Sequence, residues 1–280
     1  MRPEGRRGAK RKMRARHYLY LLGALAVTAA LSTVGSAVGE VPVQSLEAQT
    51  VNSDLPSSSR TGVTLRVKPS TADDTDEGGG TLPEQTSNFK LDVDSDIVIK
   101  PDGLPGCDAD LLAGKDLDGA MAACGKVDRK SWVGYGNAHI QVGSGTVAGT
   151  CPPTCHATVL AFRGTKRNDC LVGDTPYAGG TKGIVLWARA NALATTVVLC
   201  GEIKPSPLGG EYGTRLEVPV DLIAGGAGAI SDFEVFVGRR QNGKDYVKAK
   251  CSDGVLDFKS TATYYDGHSP EVDDVAQACT

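Results

Sequence analysis

In residues 89–100, FKLDVDSDIVIK, Phe89, Leu91, Val93, Ile97 and Ile99 share one parity, while Lys90, Asp92, Asp94, Asp96 and Lys100 share the other. Such alternation is the two-residue period of a strand with one buried and one wet face. Counted from Asp92, the same residues also open like a calcium-binding loop, D-x-D-x-D. That loop needs glycine at its sixth position and glutamate at its twelfth, where this chain has Ile97 and Gly103. The expectation is therefore a strand whose acids form a solvated face.

Outward from this strand the chain is a succession of similar short segments. Upstream stands TGVTLRV; downstream come SWVGYGNAHIQVG, CHATVLAFRG, GIVLWARA, TTVVLCGEIK, GTRLEVPVDL, DFEVFVGRR, DYVKAKC and GVLDFKSTATYY. Their connectors are rich in Gly, Pro, Asn and Asp, which supply the dihedrals of tight turns. Asn242-Gly243 is the strongest two-residue hairpin turn among them. Many short strands without helices between them predict an all-β fold, an antiparallel β-sandwich of about 9–12 short strands. An immunoglobulin arrangement is not supported. Trp187 lies between Cys170 and Cys200, but these are too close together, and no tyrosine stands two residues before Cys200.

Helix is expected only in GLPGCDADLLAGKDLDGAMAACG, an insert at about 108–124 with Asp108 placed to cap ADLLA. Cys107 and Cys124 flank it.

The N-terminal 39 residues read as an export signal. Eight basic residues between Arg2 and Arg16 face one acid, Glu4, and the apolar run YLYLLGALAVTAAL and the small residues STVGSAVG follow. The alternative is an uncleaved membrane anchor over residues 18–38, since a helix of about 20 residues can cross a bilayer. Residues 40–60, polar and without period, read as a flexible linker, so that a single β domain with the helical insert occupies 61–280. Without the first 39 residues, 22 basic and 32 acidic residues remain, a net charge of about −10. An acidic surface repels polyanions, so nucleic acid is excluded as a partner. A membrane is expected to be met only through the N-terminal segment, if that segment stays uncleaved.

All eight cysteines follow the signal: Cys107, Cys124, Cys151, Cys155, Cys170, Cys200, Cys251 and Cys279. An even number in an exported chain reads as four disulfides. Sequence proximity favours Cys107 with Cys124, Cys251 with Cys279, Cys151 with Cys155, and Cys170 with Cys200.

GTCPPTCHATVLAF, residues 149–162, is the one stretch that suggests cofactor chemistry. Covalent haem attachment takes C-x-x-C-H running into a helix; here Cys151, Cys155 and His156 form C-x3-C-H, and Pro152 and Pro153 oppose helix. Zinc could be written for Cys151, Cys155, His156 and Cys170, but three cysteines on a metal leave an odd number in an oxidising compartment. A hairpin explains the same residues with less, because AHIQVG runs out to the pair and HATVLAF runs back. No cofactor or metal is expected on this reading.

No catalytic residues are legible. VGSGTV is not a nucleophile elbow. His139 reads as an ordinary strand residue, and His268 sits in a turn where Asp266 is its only evident partner. Acids far apart in sequence could still converge, as in glycosidases. Against a sugar-binding surface stands the scarcity of aromatics, with Trp132 and Trp187 both inside strand patterns.

The order of LPGCDADLL, MAACG, VGYGNAHIQVG, ATVLAFRG and YVKAKCSDGVLDFKSTATYYDG with a final QAC resembles a group of secreted β-rich proteins from high-GC Gram-positive bacteria. The group's function is uncharacterised, so the resemblance implies an extracellular β-rich domain and transfers no site residue. The sequence thus points to an exported extracellular or cell-envelope-associated domain, structural or ligand-binding rather than enzymatic. Two readings stay open beside it: a secreted hydrolase with converging carboxylates, and a metal or haem protein built on Cys151, Cys155 and His156.

Overall fold

The computed structural model describes residues 43–52, 54–72, 84–100, 102–125, 131–142, 154–164, 171–172, 175–176, 183–190, 195–223, 228–241, 243–267 and 271–279. The first strands are β1 (Val43–Thr50), β2 (Thr61–Gly62), β3 (Leu65–Ala72), β4 (Thr86–Asp94), β5 (Ile97–Ile99) and β6 (Trp132–Val142). They are followed by β7 (Thr154–Gly164), β8 (Leu171–Val172), β9 (Thr175–Pro176), β10 (Gly183–Ala190), β11 (Thr195–Pro205) and β12 (Tyr212–Pro219). The last are β13 (Gly228–Val237), β14 (Arg240–Gln241), β15 (Lys244–Asp245), β16 (Val247–Ala249), β17 (Val255–Tyr264) and β18 (Glu271–Ala278). One short helix, α1 (Leu117–Ala120), lies between β5 and β6, flanked by single turns at Ala109–Leu111 and Met121–Gly125.

Eleven strands make one antiparallel sheet in the order β1-β3-β13-β6-β7-β10-β11-β12-β4-β17-β18. The all-β antiparallel architecture expected from the sequence is present, with its helical insert tethered by the Cys107–Cys124 disulfide. The sheet curls until β1 lies against β17 and β18, so its apolar faces oppose one another across the interior as the layers of a sandwich do. The backbones of β6 and β13 approach closely, so that a Cβ on Gly134 or Gly136 would collide with the backbone carbonyls of Phe236 and Glu234. Only glycine permits that approach.

An odd number of antiparallel strands leaves the first and last running the same way, so β1 and β18 cannot close the wall by antiparallel pairing. A side chain does it instead. Gln277 accepts a hydrogen bond from the Thr50 backbone N–H at 2.6 Å and donates one to the Thr50 carbonyl at 3.0 Å, imitating a strand's peptide group. At the other end of the seam the hydroxyls of Thr71 and Tyr264 lie 3.3 Å apart. Gln277→Ala is expected to destabilise the domain by about 1–2 kcal/mol, two ordinary hydrogen bonds. Faster hydrogen exchange at the Thr50 amide should locate the loss at the seam.

Inside the wall, Leu65 and Val67 of β3, Leu91 and Val93 of β4, Leu186 of β10 and Phe258 of β17 belong to one buried core. A small sheet of β2, β16 and β5 closes the end where β3 begins and β4 ends. Its Ile97, Ile99, Val247 and Ala249, with the fully buried Tyr246, belong to the same core. The Cys251–Cys279 disulfide ties this floor to the end of β18. A second cluster lies on the opposite face of β7 and β10. There Leu160, Phe162, Val185 and Trp187 are covered by Leu112, Ala120 and the Cys107–Cys124 bridge. Strands buried on both faces lose their alternation, which is why GIVLWA, residues 183–188, is an unbroken apolar run.

Three expectations are revised. The strand β1 falls inside residues 40–60, which were read as a flexible linker; its inward positions are Leu46, Ala48 and Thr50, too weakly apolar for the alternation to stand out. The acids of β4 and the following turn are not a solvated face: Asp92, Asp94 and Asp96 are 2%, 5% and 4% exposed. Each is held by protein groups. Arg215 forks onto Asp92 at 2.6–3.1 Å, Asp94 accepts the amides of Asp96 and Asp257, and Asp96 accepts both the amide and the hydroxyl of Ser252. Asp108 makes no side-chain cap; the capping acid is Asp116, which accepts from the Gly119 amide at 2.8 Å.

The β6–β7 hairpin is formed, with Ile140 opposite Cys155. Its tip, including Cys151, Pro152 and Pro153, lies outside the described residues, as do Cys170, His268 and the whole of residues 1–42. Gln241 pairs with Lys244 across the two-residue turn expected at Asn242-Gly243, and Gly243 has φ +75°. Among the described residues no helix is long and apolar enough to cross a membrane.

Candidate functional site

A wall of about eight strands already encloses room for side chains or one small ligand, and eleven enclose more. Here the inward side chains leave a void of about 100 Å³. Leu65, Val67, Leu186, Leu199, Leu216 and Val235 are among the aliphatic residues that line it, with Phe89 and Phe233. A smaller void of about 40 Å³ lies beside it, walled by Ala138, Ala157, Ala188 and Ala190, whose short side chains create the space. Leu199, Ile230 and Phe233 border both.

Among the described residues no charged side chain lines either void. Polar groups are few. Gln44 at the start of β1, Thr71 at the end of β3 and Thr86 at the start of β4 mark one end of the larger void, Tyr246 lies in the floor at the other, and Ser231 of β13 lies along its wall; Thr195 borders the smaller void. Burial pushes the Tyr246 phenol well above its ordinary range, and its hydroxyl reaches only the Gly183 carbonyl, at 3.4 Å. Burial likewise raises the Tyr264 phenol, although the Thr71 hydroxyl opposes the shift. Gln44 Oε1 is shielded from solvent and has no hydrogen-bond partner. It is a buried acceptor at the polar end of an apolar chamber, and an unmade bond there is costly.

Ion pairs lie on the outer face of the wall. Arg66 bridges Glu234 at 2.6 Å and Glu47 at 2.9 Å across β13, β3 and β1. Lys204 joins Glu217 at 2.5 Å and Glu202 at 3.3 Å across β12 and β11. Against burial, which pushes the Glu217 carboxyl up, Lys204 and Asn88 hold it below its ordinary value. A membrane-spanning barrel has the opposite polarity, apolar outside and polar within.

The residues singled out in the sequence fall elsewhere. Trp187 is fully buried beneath the insert, and Trp132 is half-buried with the Arg239 guanidinium 3.8 Å over its ring. Cys155 and Cys200 are disulfide-bonded, and the strand register sets them far apart, Cys200 opposite Val185 and Val185 opposite Phe162. Their partners therefore lie outside the described residues. A bonded Cys155 offers no thiolate, so a haem or zinc site built on Cys151, Cys155 and His156 loses a member. His139 and His156, read separately in the sequence, stand directly opposite each other on β6 and β7, and Asp232 of β13 is hydrogen-bonded to His139 Nδ1. Asp266 is exposed in the turn after β17. The lumen itself went unread, because it is assembled from single residues of many strands.

Compared with known protein families, curated proteins and solved structures, the chain matches none.

Proposed function

We propose that this chain is an exported, non-enzymatic barrel that holds a small uncharged apolar molecule in its interior. One observation carries the reading: a void of about 100 Å³ walled mostly by aliphatic and aromatic side chains, with no charged side chain among the described residues that line it. With the adjoining void it approaches the roughly 150 Å³ of an engineered apolar cavity that stays dry and binds benzene. Empty space of this kind forfeits dispersion contacts that a ligand restores. The polar end argues for a ligand with a neutral donor, a hydroxyl or amide, set against Gln44 Oε1. Export is supported by the cationic, then apolar, N-terminal segment and by disulfides that persist in oxidising surroundings.

Benzene, toluene and 1-octanol, each added alone to the full chain, are suitable probes. A ligand at 100 times its Kd raises stability by about 2.7 kcal/mol, read as an increase in Tm. Octanol is expected to give the largest shift. Leu199→Phe, which fills the boundary between the voids, is expected to abolish it while circular dichroism stays unchanged. Should that variant fold poorly, Ile230→Phe tests the same boundary. No shift with any of the three probes would rule the reading out.

A further inference from the structure

We propose that His139 and His156 form a two-imidazole site for a divalent transition-metal ion of tetragonal preference, Cu2+ foremost, on the outer wall of the barrel. This site is separate from the lumen and does not depend on it. The register of β6 and β7 places the two histidines directly opposite each other, and their ring centroids are 4.3 Å apart with the planes at 80°. With metal–nitrogen bonds of about 2.0–2.1 Å, two imidazoles on one ion hold their centroids about 4.5 Å apart at a right angle and about 5.2 Å apart at the tetrahedral angle. The observed spacing fits adjacent corners of a square, the geometry of Cu2+ and Ni2+.

The ring of His139 is also oriented. Asp232 Oδ2 is bonded to its Nδ1, which places the proton there and leaves the Nε2 lone pair for an ion, the carboxylate–histidine–metal arrangement. The Ser231 hydroxyl, 3.3 Å from the His139 carbonyl, braces the strand behind it. The site is open to solvent: the His139 side chain is 32% exposed and His156 is exposed. Among the described residues no group of three or more His, Cys, Asp and Glu is placed to hold an ion. Among the described residues the pair supplies two corners of the coordination.

The chain has four histidines, so His17→Gln with His268→Gln leaves this pair alone in an otherwise intact protein. Titrated with CuCl2, that background is expected to bind one equivalent and to show coupling to two nitrogens by electron paramagnetic resonance. Adding His139→Gln or His156→Gln is expected to weaken binding at least tenfold and leave at most one coupled imidazole. Asp232→Asn keeps both ligands and is expected to weaken binding by about 10- to 100-fold. Undiminished affinity in either histidine variant, or a background spectrum with fewer than two nitrogens, overturns the site. Circular dichroism on each variant separates loss of the site from loss of the fold.

Discussion

Trp187→Ala is expected to lower the stability of the domain by about 3–5 kcal/mol, the cost of truncating a large buried aromatic. Trp187 is 0% exposed and belongs with Phe162 and Val185 of the wall and Leu112 and Ala120 of the insert. The cavity cannot collapse easily, because the insert above it is held in place. Cys107 is bonded to Cys124, the Cys107 amide donates to Arg163, and the Ser131 amide and hydroxyl both donate to the Cys124 carbonyl. The indole N–H has no hydrogen-bond partner, so Trp187→Phe removes an unsatisfied donor along with part of the volume. That variant is expected to cost about 1.5 kcal/mol or less. Urea unfolding of both, with unchanged m-values, checks the pair. A loss for the alanine variant below about 1 kcal/mol would mean that the insert is not packed as described.

Arg215→Ala is expected to cost a similar amount, about 3–5 kcal/mol, for an electrostatic reason. It leaves Asp92, 2% exposed, without the guanidinium that forks onto both of its oxygens; only the Ser206 hydroxyl, 2.6 Å away, remains. The penalty belongs to the stranded charge rather than to the missing side chain. Asp92→Asn combined with Arg215→Met should therefore recover most of the loss, since replacing a buried pair by neutral groups is often near neutral. Thermal unfolding of the two variants side by side tests this. If the double variant were as unstable as the single one, packing rather than charge would be responsible.

The same aspartate shows how far the sequence could be read. Alternation in FKLDVDSDIVIK correctly placed Phe89, Leu91 and Val93 inward, because period alone decides the face of a strand. It could not reveal that Asp92 is covered, since Arg215 comes from β12, more than a hundred residues away in the chain. The central strands β6, β7, β10, β11 and β12 were legible, being apolar and separated by turn residues; the two-residue β8 and β9, in the connector between β7 and β10, were not. The outermost pair, β1 and β18, was not: both have a neighbour on one side only, and QSLEAQT and EVDDVAQA carry the polar character that edge strands show. The Cys107–Cys124 and Cys251–Cys279 bridges followed from proximity along the chain. The lumen depends on which strands become neighbours, and the facing of His139, His156 and Asp232 depends on exact pairing. Neither quantity is written locally.

The side-chain clasp at the seam also has a consequence for the order of assembly. Of the described strands, one wing of the wall is the first to emerge and the other the last, so the cylinder stays an open trough until residue 277 is available. During that interval both rims display unpaired backbone, the template on which chains join edge to edge. Cys279, two residues beyond the clasp and bonded to Cys251, then fastens the late-arriving wing with a covalent bolt.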